Sequence, residues 1–255
     1  MTRNSSNKKS VARNQISLDD VLEDLFGLSF RAIATLITLF NRPADYYAAV
    51  FEKDWGGRFT PSMRMWLSLF ALLSFLQFIW LRTDSPLVAN IASDIVDSGF
   101  DLPIGMTADE LGQKVYVTAY TAYPVFALIG LTLGGMLYPF WGTGHTSATR
   151  VRSTFATLIP SSIAMLLLLI LTIRLSPDQM VTFILLAPVI SGLFDFTTSV
   201  RGAFPSSGIV IRIFRAFGLA GWVFLLTTGC SVLSGVFALA IVDIQTGVPL
   251  IFRGG

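Results

Sequence analysis

The chain has 255 residues, of which 53% are hydrophobic and 13% charged, with a net charge of +2 and a mean hydropathy of +0.66. A soluble domain carries about 25% charged residues, so this composition leaves too little polar surface to face water and excludes an ordinary soluble domain. The single cysteine, Cys230, excludes an intrachain disulfide.

Residues 1–16 are polar and carry Arg3, Lys8, Lys9 and Arg13. They read as a disordered basic tail, either brushing anionic lipid or simply solvated. No apolar stretch follows directly, so no cleavable signal peptide is expected.

Residues 17–60 form a half-polar lead-in. Ser17 with Asp20 three positions on matches a capping box, and Asp19, Asp20, Glu23 and Asp24 suit a helix start. Leu18, Leu22, Leu25, Ser29, Ile33, Leu36, Ile37 and Phe40 share one stripe at helical spacing. An amphipathic helix is expected here, lying at the membrane interface or packed on the cytoplasmic end of a bundle. Pro43 suits the first position of a short helix running to about Lys53, with Gly56 and Gly57 as its stop. Thr60 is expected to cap the first crossing, with Pro61 in its first turn. Trp55, Phe59 and Trp66 fall where an aromatic belt sits, and Arg58 and Arg64 at the headgroup level.

Residues 61–255 form the membrane domain. Five crossings are expected, over 61–81, 115–141, 151–173, 179–200 and 215–242, each with about 20 or more mostly apolar residues. The one long connection, 82–114, is acidic. It contains a predicted short helix between Pro86 and Gly99 and a second capping box at Thr107 and Glu110. Fourteen Lys and Arg residues fall on the side of the N-terminus and four on the other. The positive-inside rule therefore puts the N-terminus in the cytoplasm and the C-terminus outside.

The search for reactive groups is mostly negative. One histidine, His145, cannot build a two-histidine zinc motif, and neither a G-x-S-x-G elbow nor a phosphate loop is present. No cofactor and no nucleic-acid partner is expected. Asp195, in ISGLFDFTTSV, is an ionisable group inside a crossing and therefore a candidate site. It lies about 8 Å from the cytoplasmic end of its helix, where Arg152 and Arg201 also belong. It is either a structural ion pair or tether to such an arginine, or a proton- or ligand-coupled carboxylate. Asp243 belongs at the opposite membrane level and cannot share a proton with it. Gly130 and Gly134, Ala216 and Ala220, and Ser231 and Gly235 are small residues at spacing four, suited to helix–helix seams. Pro124, Pro139, Pro160 and Pro188 are expected to kink or end their helices.

The layout, with NRPADYY and GGRFTPSMRMWLSLFALLSFL, resembles the Yip-like superfamily, and within it a bacterial branch of uncharacterised five-span proteins. The residues that carry the likeness are Pro43, Tyr46, Tyr47, Arg58, Phe59, Pro61 and Arg64, joined by FDFTTSVRGAF and RIFRAFGLAGWVF at the junction of spans four and five. The resemblance implies an all-helical, five-span fold. Eukaryotic members are associated with small GTPases through an acidic-Leu-aromatic-Gly-Pro signature. Here Asp24, Leu25, Phe26 and Gly27 match it but Leu28 replaces the proline, so that role is not carried over.

The expectation is thus an all-α polytopic protein of a bacterial cytoplasmic membrane, with interfacial helices ahead of five transmembrane helices. A non-enzymatic scaffold or regulator is preferred, its cytoplasmic interface formed by Tyr46, Tyr47, Trp55 and Arg58. The alternative is a small transporter or channel using Asp195. The expected partners are the lipid bilayer and a membrane protein or a second copy of the chain.

Overall fold

The computed structural model describes residues 30–52, 58–80, 86–99, 102–137, 145–172 and 175–247. Among these every regular element is a helix. They are α1 (Phe30–Asn41), α2 (Pro43–Phe51), α3 (Ser62–Trp80), α4 (Pro86–Asp97), α5 (Ala108–Leu137), α6 (Ser147–Thr172), α7 (Pro177–Gly202) and α8 (Ile209–Thr246). Residues 1–29, with the expected tail and the Ser17 capping box, lie outside the described residues, as do Trp55, Gly56, Gly57 and Pro139.

Five helices are long and apolar enough to cross a membrane: Ser62–Ile79, Ala108–Leu137, Ser147–Thr172, Thr182–Gly202 and Ile209–Thr246. The chain is a multi-pass membrane protein. Large apolar side chains on α7 and α8, such as Leu185, Leu193, Phe214 and Phe217, are exposed. Water would not tolerate so continuous an apolar surface; lipid does.

Four of the spanning helices begin earlier than the apolar runs alone suggest, α5 and α8 by the most. α5 starts at Ala108, because the Thr107–Glu110 box forms. The Thr107 amide donates to Glu110 Oε2 at 2.8 Å, and the Glu110 amide donates to Thr107 Oγ1 at 3.2 Å. α8 starts at Ile209, just after Gly208, whose carbonyl accepts the Arg212 amide at 2.9 Å. With 38 residues, α8 is about 57 Å long, against a hydrocarbon core of about 30 Å. It therefore carries turns beyond the apolar layer.

The interior follows the small residues. A Cβ on Gly130 would stand 2.5 Å from Cys230 Sγ, and one on Gly134 would meet Leu226. The G-x-x-x-G step of α5 thus lies directly against α8, and Trp222 Nε1 donates to the Gly134 carbonyl at 3.1 Å. Ala216 and Ala220 are buried as expected for a seam, whereas Ser231 is exposed and Gly235 faces open space. α4 ends at Asp97, and Gly99 two residues on, with a φ of 68° in the left-handed region, turns the chain away. α4 caps the far end of the bundle, where Ile95, Leu111, Val115, Ala238 and Val242 form one cluster.

The lead-in is bolted to the opposite end. Ala32, Leu39, Tyr46, Tyr47, Ala49 and Val50 join the main core with Phe155, Ile159 and Leu219. Pro43 stands in the first turn of α2, as its missing amide favours. Thr60 corrects the expected cap of α3. Its Oγ1 makes no hydrogen bond among the described residues, and its amide is held instead by Thr35 Oγ1 at 2.9 Å. That bond uses the hydroxyl of α1 to fix the turn into the first span.

Candidate functional site

Two polar stripes face each other inside the bundle. On α6, Ser153, Thr157 and Ser161 recur at spacing four; on α7, Ser191, Asp195 and Ser199 do the same. Spacing four puts each set on one helix face. Ser153, Thr157, Ser191, Asp195, Thr198 and Ser199 are all buried, Asp195 with only 4% of its surface exposed.

Asp195 is held by Ser161, whose hydroxyl as well as its amide faces the carboxyl. Its Oδ1 accepts the amide of Ser161 at 2.8 Å. Ser161 follows Pro160, which lies inside α6. Proline disturbs the ladder around it by clashing with the carbonyl one turn back. The carboxylate therefore supplies an acceptor at the site where the helix is locally weakened. Ser161 Oγ and Ser162 Oγ both donate to the Leu158 carbonyl, at 2.9 and 2.7 Å. The hydroxyls beside the proline thus turn back on α6, while Asp195 ties α6 to α7.

Neither candidate arginine pairs with this carboxylate among the described residues. Arg152 Nη1 donates to the Glu52 carbonyl at 3.3 Å. Arg201 Nη1 donates to the Phe40 carbonyl at 3.0 Å, and Nη2 to that of Asn41 at 3.5 Å. The expected grouping of Asp195 with Arg152 and Arg201 is corrected accordingly. The arginines serve the ends of the lead-in helices, whose last carbonyls have no partner within their own helix. A guanidinium at the surface keeps its solvation there, which burial beside Asp195 would remove.

The tyrosines close the near end of the polar seam. Tyr46 and Tyr47, expected at an exposed interface, are 0% exposed. Their rings meet edge to face at 5.6 Å, and Tyr46 meets Phe59 in the same way at 6.2 Å. Tyr47 Oη and Ser199 Oγ lie 3.3 Å apart, with Thr157 and Thr198 also facing that phenol. Burial pushes both phenols above the ordinary tyrosine range, so both are neutral. A Tyr presents an apolar body and a polar tip, and both are used here: rings in the core, the Tyr47 hydroxyl on the polar seam.

Close backbone approach makes this seat possible. A Cβ on Gly202 would stand 2.5 Å from the Pro43 carbonyl carbon and 2.7 Å from Tyr47 Cδ2. Arg58 remains at the surface, 3.9 Å from Glu52 and with its guanidinium 5.6 Å from the Phe59 ring centre. His145 stacks on Phe51 with centroids 4.7 Å apart. Trp55 lies outside the described residues.

Sequence reasoning singled out Asp195, and Ser161 and Ser162 as hydroxyls for carbonyls freed beside Pro160, which they serve at Leu158; it missed Thr157, Thr198 and Ser199. The spacing of four in each apolar helix is the signal that would have found most of them. The described residues hold no group of three or more His, Cys, Asp or Glu side chains fit for a metal ion. The chain matches no protein-family model, no curated protein and no solved structure.

Proposed function

We propose that the protein is a non-enzymatic scaffold or regulator of other membrane components in a bacterial cytoplasmic membrane, with its lead-in and N-terminus inside and its C-terminus outside. The Yip-like resemblance and the excess of arginine and lysine around the lead-in support that placement. The observation that carries the scaffold reading is the docking of α1 and α2 onto the ends of α6 and α7. Arg201, Gly202 and Ser199 hold them through Phe40, Asn41, Pro43 and Tyr47. A rigid, preformed platform lowers the ordering cost of binding a partner. Its outer surface presents Asp45, Ala48, Glu52 and Arg58, all exposed. The tyrosines contribute by fixing that surface from beneath.

Mild-detergent purification of the whole protein tests this reading. A stoichiometric membrane-protein partner is expected with the native chain and is lost in Asp45→Arg and Arg58→Glu variants that keep the native melting profile. Full retention in both variants, or the absence of any partner, contradicts it.

A second reading is favoured by Asp195, a buried carboxylate without an ion pair among the described residues. It makes the protein a small transporter or channel. Solute or proton flux in proteoliposomes that disappears in Asp195→Asn supports it; unchanged ion permeability with and without the protein removes it.

A further inference from the structure

We propose that the outer face of α1 is embedded in the bilayer at the boundary between headgroups and acyl chains, with Arg31 and Arg42 meeting anionic lipid headgroups at its two ends. This placement stands apart from the scaffold and transporter readings and holds whichever of them is right.

α1 is apolar on both sides. Its inner face, Ala32, Thr35 and Leu39, is fully buried. Its outer face carries Ile33, 47% exposed, Ile37, 56% exposed, and Ala34 between them. Between Arg31 and Arg42 there is no charged residue. Both threonines of the helix donate their hydroxyls to its own backbone, Thr35 to the Arg31 carbonyl at 2.7 Å and Thr38 to that of Ala34 at 2.9 Å, and the Thr35 oxygen accepts the buried Thr60 amide on the inner side. A helix without a polar face belongs in a protein core or in lipid.

Lipid is the occupant for three reasons. First, α1 is continuous with a lipid-facing surface. The Phe40 ring meets Phe194 edge to face at 6.4 Å, and Phe194 belongs to the exposed apolar face of α7 with Ile190 and Leu193. Secondly, the next helix is different. The outward residues of α2 include Asp45, with Glu52 just beyond its end, so the water boundary falls between the outer faces of α1 and α2. Thirdly, Arg31 and Arg42 are exposed at either end of the apolar stripe. Their long side chains can reach headgroup phosphates while the isoleucines stay below. Arg201, by holding the last carbonyls of α1, keeps this helix from lifting away.

Single spin labels on the full-length chain test the proposal, in a Cys230→Ala background, or Cys230→Ser should that variant be unstable. The protein is reconstituted in vesicles of phosphatidylcholine with phosphatidylglycerol. Labels at Ile37→Cys and, independently, at Ile33→Cys are expected to collide more often with oxygen than with a water-soluble nickel complex. A label at Ala48→Cys is expected to show the reverse. Nickel accessibility at 33 and 37 equal to that at 48 overturns the proposal in favour of a water-facing surface. Dipolar broadening between labels at 37 overturns it in favour of a second copy. For the headgroup contacts, thermal stabilisation by phosphatidylglycerol over phosphatidylcholine alone is expected to fall at least twofold in the Arg31→Gln, Arg42→Gln double variant. An unchanged shift removes the arginines from the proposal.

Discussion

The carboxylate of Asp195 accepts the backbone amide of Ser161 at 2.8 Å, across the interface of α6 and α7 and one residue after Pro160. An ionisable side chain inside a span thus serves the main chain of a neighbouring helix. The contact asks for an acceptor at that point, which Asn supplies as well as Asp. Asp195→Asn is therefore expected to keep the native thermal stability in detergent within about 1 kcal/mol, whereas Asp195→Ala leaves the amide without this partner and costs about 1–3 kcal/mol. Equal loss in both variants would show that the charge itself is required.

Gly202 sits where α2 crosses the end of α7. Gly202→Ala is expected to push α2 outward at a cost of about 1–3 kcal/mol, because the obstructing atoms are the Pro43 backbone and cannot swing aside. Gly229, where an added methyl would meet nothing within 4 Å, provides the contrast. Gly229→Ala is expected to be neutral or slightly stabilising, as the helix propensity of Ala over Gly suggests. Thermal melts of the two variants side by side check this.

Arg201 holds carbonyls that α1 itself cannot satisfy. Arg201→Lys has one compact ammonium in place of a planar fork and is expected to reach only one of the two carbonyls. The loss is about 1 kcal/mol and falls on the lead-in alone. Limited proteolysis is expected to cut near residues 40–43 several-fold faster, with the melting of the five spans unchanged.

The phenols of Tyr46 and Tyr47 resist ionisation in the fold because they are buried. An unfolded tyrosine ionises near the ordinary value of 10.0. Their folded values lie higher, so their contribution to docking is complete below pH 10 and declines as pH rises beyond it. Ultraviolet absorbance should show these two tyrosines ionising only together with release of the lead-in. Tyr47→Phe is expected to cost about 0.5–1.5 kcal/mol through the Ser199 contact. Tyr47→Ala is expected to cost about 3–5 kcal/mol through the cavity it leaves.

What could be read in advance follows from how local each cause is. Long apolar runs and the Thr107–Glu110 box depend on near neighbours in the chain, and the five long helices and the start of α5 reflect them. The Gly99 stop is local for the same reason. The fate of Tyr46 and Tyr47 is not local, since a tyrosine suits a core, a protein interface and a headgroup layer equally; only the approach of Gly202 to Pro43 decides among them. Arg152 and Arg201 likewise lie at the same level as the end of α7, but depth alone does not say which acceptor they reach. Asp195 is conspicuous as a charge in an apolar run, whereas its partner is a main-chain amide on another helix, which no side-chain pattern announces. Thr60 shows the limit of capping rules: the residue type is suitable, yet the Thr35 hydroxyl, 25 positions earlier, holds the turn.

The account depends most on an odd number of crossings with the lead-in at the cytoplasmic end. Cysteine accessibility at two exposed positions, Ala48→Cys in α2 and Gln245→Cys in the last turn of α8, measures this directly in intact cells. A membrane-impermeant maleimide is expected to label position 245 from outside, and position 48 only after the cells are opened. Labelling of both positions from the same side would contradict the topology.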